Sequence, residues 1–235
     1  MSFNYSPKIV TNGLVLCLDA ANTKSYVSGS TIWTDISRGG NNGTLVNGPT
    51  FSNANGGTIV FDGTNDYAVT PQNSNISGDI QATISTWIYP LSVTGNLATT
   101  LIGNSDGTLT GMGICIGING AGSLSVEFWN GNGMRTTSGV LQTSKWYNIV
   151  ATKTPGAINT TTNLYVNGQQ QSFSVVSTNT PNVTNYTISI GAIKGTVSTQ
   201  FYFSGNIAQT QIYNRALSAT EIKQNYNATK GRYGL

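Results

Sequence analysis

The chain contains no histidine, two cysteines, six aspartates and two glutamates. That inventory excludes a Ser-His-Asp triad, a Cys-His nucleophile pair and a His-ligated metal within this chain. Two cysteines cannot supply a Cys₄ zinc site. Retaining glycoside hydrolysis needs two carboxyl groups about 5–5.5 Å apart, and on one strand that means acidic residues two or four apart on one face. Glu127, in Ser125-Val126-Glu127-Phe128-Trp129, has no acidic neighbour at 125 or 129. Glu221, in Ser218-Ala219-Thr220-Glu221, fits a helix capping box. The expected class is therefore a non-enzyme.

Binding chemistry is better supplied. The closest acidic spacing is Asp62 and Asp66, either side of Gly63-Thr64-Asn65. Asp62 can cap that turn through its own backbone. The alternative is a Ca²⁺ site, because a glycine loop with two carboxylates offers several of the six to eight oxygens calcium takes. Asp19, at the end of the first strand, is a further ligand if its strand end lies nearby. Around Glu127, period-two alternation puts Ser125, Glu127 and Trp129 on one face and Leu124, Val126 and Phe128 on the other. A Trp beside a carboxylate, with Asn130, Asn132 and Arg135 close in sequence, can stack a sugar ring while the polar groups bond its hydroxyls. The alternative is a partly buried Trp under a loop or at a subunit contact. Tyr202, between Phe201 and Phe203, is a weaker candidate of the same kind. Asp106, in Asn104-Ser105-Asp106-Gly107, reads as a turn residue.

The elements that position these groups follow from composition. Of 235 residues only 8% are charged, and Gly, Asn, Ser and Thr make up nearly half the chain. Threonine and the β-branched residues favour strands, while Gly and Asn favour turns, so the chain reads as all-β. Strands are expected at 14–18, 44–46, 58–61, 67–69, 83–89, 100–103, 112–118, 123–129, 145–152, 163–167, 186–191, 200–204 and 207–213. Asn167-Gly168 marks a hairpin with a type I′ turn. One short helix is expected at 218–226, with Ile222 and Tyr226 on its packing face. Cys17 and Cys115 lie in strand-like runs and are expected as buried free thiols. Trp87 and Trp146 are expected in the core and Trp33 at a sandwich end. The organisation is then an arm at 1–11, one domain at 12–226 and a tail at 227–235. The net charge of +3 comes from scattered basic residues, so no nucleic-acid partner is expected. No apolar run approaches a membrane span. Residues 1–8 carry no apolar signal-peptide region.

A set of segments, in order, carries a resemblance. It comprises Leu14–Asp19, Trp33-Thr34-Asp35, Gly43-Thr44-Leu45, Phe61–Tyr67, Thr83–Pro90, Trp146–Val150, Leu164–Gly168, Gly205-Asn206-Ile207 and Ile212–Ser218. Together these resemble a laminin G-like domain of the concanavalin A-like lectin/glucanase superfamily, over about 12–226. The resemblance implies a two-sheet antiparallel jelly-roll sandwich, and calcium binding is common among such domains. More narrowly, the lead into Gly13-Leu14-Val15 and the Asn225-Tyr226 to Lys230–Gly234 ending are similar to versions in tailed-phage virion proteins. That implies a virion structural protein, as capsid decoration or tail or fibre component, made in the host cytoplasm. Its expected partners are other virion subunits, in a multi-copy assembly, and host-surface carbohydrate. The alternatives are a purely architectural cementing subunit and a bacterial carbohydrate-binding module.

Overall fold

The computed structural model describes residues 7–71, 78–103, 114–128, 132–175, 178, 180, 182–183, 187–195 and 199–235. In chain order the strands begin with β1 Leu14–Asp19, β2 Ile32–Trp33, β3 Gly43–Val46, β4 Thr50–Ser52, β5 Thr58–Asp62 and β6 Tyr67–Val69. They continue with β7 Ala82–Pro90, β8 Asn96–Ile102, β9 Ile114–Asn119, β10 Ser123–Phe128, β11 Asn132–Arg135 and β12 Tyr147–Lys153. A helical turn α1, Ile158–Thr161, precedes β13 Thr162–Val166, β14 Gln169–Gln171, β15 Ser174–Val175 and β16 Ile188–Ile190. Then come β17 Ile193–Lys194, β18 Thr199–Gln200, β19 Ser204–Tyr213 and the helix α2 Ala219–Thr229. Two large antiparallel sheets result, and β17 pairs with β18 apart from them. The eight-stranded sheet runs β14-β13-β12-β7-β19-β5-β4, with β1 also paired to β19. The nine-stranded sheet runs β15-β11-β10-β9-β8-β16-β6-β3-β2.

The period-two pattern explains why these strands stack as two sheets. Ile84 and Ile88 of β7, Ile149 of β12, and Ile207 and Ile212 of β19 join Ile116 and Ile118 of β9, Leu124 and Val126 of β10, and Trp33 in one buried cluster. Trp33 is fully buried within β2. Inside this apolar layer Thr86 and Thr100 share a hydroxyl–hydroxyl bond of 2.9 Å that joins one sheet to the other. The hairpin at Asn167-Gly168 has the two positive φ angles, 51° and 74°, that a type I′ turn demands. The expected strand at 200–204 is broken. Phe201 takes φ 57°, and β18 ends at Gln200 before β19 starts at Ser204. Cys17 and Cys115 are buried and free. Burial pushes the Cys17 thiol up to about 12 and raises Cys115 as well, so neither is poised as a nucleophile.

The chain end departs from the expected tail. Helix α2 runs to Thr229, and a 3₁₀ turn at Lys230–Tyr233 folds back on the outer face of the eight-stranded sheet. Tyr233 is 6% exposed and stacks on Trp87 with ring centroids 4.0 Å apart. Trp87 is thus buried, but outside the sandwich interior, beneath the chain end. Trp146 is half-buried in the same cluster. The apolar strand run alone could not distinguish the two faces, because this sheet is covered on both. The described part of the arm also packs: Val10 N–H donates to Asn225, and the Tyr213 hydroxyl donates to the Val10 carbonyl.

The capping box forms as the spacing implies. The Ser218 hydroxyl accepts from Glu221 N–H, and the Glu221 carboxylate accepts from Ser218 N–H. Arg215 adds a two-point ion pair to the same carboxylate. The Arg215 guanidinium, then Ser218 N–H, hold the Glu221 carboxyl down to about 2. A depressed acid stabilises the fold above its unfolded pKa and loses that contribution as pH falls through its folded value. Stability is therefore expected to drop between about pH 4.5 and 2, and Glu221→Gln should flatten that segment of a melting-temperature–pH profile. An unchanged profile in the variant would assign the acid transition elsewhere.

Candidate functional site

Strands β9, β10 and β11 build the outer face on which Glu127 and Arg135 stand. Ile114, Ile116, Ile118, Leu124, Val126 and Met134 turn into the core, each at most 3% exposed. Alternation then sends Cys115, Gly117, Ser125, Glu127, Gly133 and Arg135 outward. The register sets Glu127 opposite Cys115 on one side and Gly133 on the other, and Ser125 opposite Arg135. Glu127 and Arg135 are thus diagonal neighbours, within reach of long side chains. Arg135 Nη2 lies 3.2 Å from Glu127 Oε1, with the side chains 34% and 24% exposed. Asn119 Nδ2 donates to the same Oε1 at 2.9 Å. Gly133 leaves the space Glu127 uses: a β-carbon there would sit 3.0 Å from Glu127 Cγ and 2.5 Å from the Val126 carbonyl.

The segment after β16 closes one side of this face. Ile193 and Phe201 pack on Ala98 and Cys115. Beneath them remains a cavity of about 20 Å³ bordered by Gly117, Ser125 and Glu127, room for about one water. Tyr202, half-buried, follows Phe201 directly, while Phe203 is fully buried in the core. The structure thus brings Glu127 and Arg135 together and runs the chain just before Tyr202 along the edge of their face. Trp129 and Asn130 lie outside the described residues. Asn119 was missed from sequence; its signal was the Asn119-Gly120-Ala121-Gly122-Ser123 hairpin, which puts it on the outward parity of β9.

The three aspartates do not gather. Asp62 Oδ1 accepts Thr64 N–H at 2.7 Å and Asn65 N–H at 3.2 Å, the turn-capping arrangement. These N–H groups hold its carboxyl below the usual range. Asp66 is 5% exposed and accepts Asp62 N–H at 3.1 Å. Burial, then the Asp62 charge, push its carboxyl up. Asp19 is elsewhere. It pairs in register with Gln209, whereas Asp62 pairs with Ser204, five residues away along β19. Asp19 is held by Arg232 Nη1 at 2.9 and 3.1 Å and by Gln209 Nε2 at 3.0 Å. Among the described residues no group of three His, Cys, Asp or Glu comes together. Asp62 and Asp66 thus share one turn without Asp19, and two carboxylates supply only part of the six to eight oxygens that calcium takes.

The other described carboxylates are also engaged. Asp35 accepts from Cys17, Ser37 and Asn41 N–H, Asp79 pairs with Lys153, and Glu221 pairs with Arg215. Asp106 lies outside the described residues. Two stacked antiparallel sheets define a β-sandwich. A family model, Laminin_G_3 of the Concanavalin A-like lectin/glucanases superfamily, matches residues 62–223, and the chain belongs to that family. No curated protein matches the sequence.

Among solved structures, domain 4 of AbnA, an extracellular GH43 arabinanase from Geobacillus stearothermophilus in complex with arabinotriose, aligns with TM-score 0.67 at 18% identity. That match covers 92% of this chain and 100% of that one. Trypanosoma rangeli sialidase in complex with sialic acid aligns with TM-score 0.68 at 16% identity, over 97% of this chain but 36% of that one. The binding domain of Paraclostridial Mosquitocidal Protein 1 aligns with TM-score 0.65 at 18% identity, over 92% and 52%. At these identities the likeness is one of fold.

Proposed function

We propose that this chain is a non-enzymatic glycan-binding module and that the Glu127–Arg135 face is where it meets sugar. The observation that carries this reading is the half-exposed Glu127, Arg135 and Asn119 cluster on the outer sheet face, adjoining Trp129 and Asn130 in sequence. A carboxylate, a guanidinium and a carboxamide together offer the donors and acceptors that ring hydroxyls need. The arabinanase domain of the same fold, solved with arabinotriose, supports the ligand class. The engagement of each described carboxylate in a turn, cap or ion pair supports a binding role over hydrolysis. Arg135→Ala is expected to weaken glycan-array binding at least tenfold with only a small drop in melting temperature, since a partly exposed pair contributes little to stability. Equal binding by wild type and variant would remove this face from the reading.

The setting we propose is a virion surface, as capsid decoration or tail or fibre component. What supports it is the similarity of the chain's two ends to tailed-phage virion proteins. Many copies on one particle would turn weak sugar contacts into avidity. Cryo-electron microscopy of purified particles tests it. Copies projecting with the Glu127 side open support adhesion. Copies with that face buried between subunits make the fold a cement, and particles without the protein end the virion reading.

A further inference from the structure

A second concavity lies far from Glu127, at the side of the sandwich where the chain crosses from β3 to β4. It has a volume of about 560 Å³, within the range of about 300–1,000 Å³ typical of small-molecule sites. At its base lies half-buried Phe51, backed by Tyr26, which is 5% exposed, with ring centroids 5.4 Å apart, beside Leu45. Ser28, Thr31, Asn47 and Thr50 border it, and none of its lining residues is charged. Two exposed apolar side chains, Val27 at 64% and Ile32 at 40%, flank the lining in the chain.

The walls are braced. The Tyr26 hydroxyl donates to the Ser30 carbonyl, Leu45 N–H donates to the Thr31 carbonyl at 2.7 Å, and Asn47 Nδ2 donates to the Asn65 carbonyl at 2.8 Å. Gly29, Asn47 and Gly48 adopt left-handed backbone, with φ 86°, 67° and 99°. A rigid cleft with an aromatic floor and hydroxyl and carboxamide walls matches a sugar ring, which offers apolar C–H faces and equatorial hydroxyls. The absence of lining charge favours a neutral one, because the walls offer an ionised group no counter-charge.

We infer that this cleft is a second saccharide site, specific for neutral sugars. The inference rests on the glycan-binding reading and adds a site of opposite electrostatic character to the charged Glu127–Arg135 face. In the nine-stranded sheet β10 and β3 are separated by five strand steps, about 24 Å at 4.8 Å per step. The two sites can therefore engage separate sugar units.

The test is ¹H–¹⁵N NMR titration with arabinotriose, maltotriose and chitotriose, using wild type, Ser28→Trp, Thr50→Trp and Arg135→Ala. Ser28 and Thr50 are exposed, so neither Trp substitution disturbs the core. Expected are shifts at residues 28–31 and 47–50, kept in Arg135→Ala and weakened at least tenfold by either Trp. Shifts confined to the neighbourhood of Glu127 and Arg135 overturn the second site and leave the first standing. Shifts at the cleft, together with an Arg135→Ala protein that binds the array normally, retain the cleft and remove the first site. No shift with any of the three sugars overturns the cleft, while the array result still judges the Glu127 face.

Discussion

Asp79→Ala is expected to cost about 3 kcal/mol, lowering the melting temperature by roughly 6–12 °C in a domain of this size. Lys153 ends β12 with its side chain 3% exposed, and its Nζ lies 2.7 Å from Asp79 Oδ1. The ammonium also donates to the carbonyls of Thr154 at 2.8 Å and Gly156 at 3.2 Å. Asp79 reaches back through Oδ2 to Gly156 N–H at 2.6 Å, so one ion pair ties residues 79–80 to the loop after β12. Removing the carboxylate strands a buried cation with carbonyls alone. Removing the cation is a different loss. In Lys153→Met the apolar stem is kept, and Asp79, a third exposed, turns to water and Gly156, so about 1 kcal/mol is expected. Urea denaturation of both variants at neutral pH checks the order. If Lys153→Met proves as costly as Asp79→Ala, the stranded buried charge is not the source of the effect.

Deleting residues 230–235 is expected to destabilise the fold by about 3 kcal/mol. The deleted turn carries Tyr233, stacked on Trp87 and tilted against Trp146 at 4.6 Å. It also carries Arg232, which neutralises Asp19. Without it the Trp87 indole, 1% exposed, meets water, and Asp19 keeps Gln209 and Ala21 N–H as its partners among the described residues. Trp87→Ala should cost as much or more, about 3–5 kcal/mol, because it also frees Thr229, whose hydroxyl accepts the indole N–H at 3.0 Å. The two changes remove the same contacts, so the double variant should fall well short of additivity. Denaturation midpoints followed by tryptophan fluorescence decide it. An unchanged midpoint in the truncated protein would make the chain end dispensable to the fold.

That tail shows where sequence reasoning stops. Lys230-Gly231-Arg232-Tyr233 has no periodicity, and its stability comes from partners such as Trp87 and Asp19, more than a hundred residues away in the chain. The α2 start, by contrast, was legible at Ser218 and Glu221, because a capping box is closed by groups three residues apart. The Asn167-Gly168 hairpin and the capping of its own turn by Asp62 were legible for the same reason. Whether Asp19 lies near Asp62 was not legible, because its neighbours are chosen by strand order: β19 brings Gln209 to it, and the chain end brings Arg232.

The sequence alone determined the all-β class, the turn sites, the helix start, the burial of both cysteines and the outward parity of Glu127. Each of these depends on interactions between residues a few positions apart, or on a period of two. Only the tertiary structure decided which sheet face the chain end covers. It also decided that Arg135 and Asn119 converge on Glu127, that Asp19 stands away from Asp62, and that Phe51, backed by Tyr26, lies at the base of a cleft. Those outcomes depend on strand register and strand order, which local spacing does not encode.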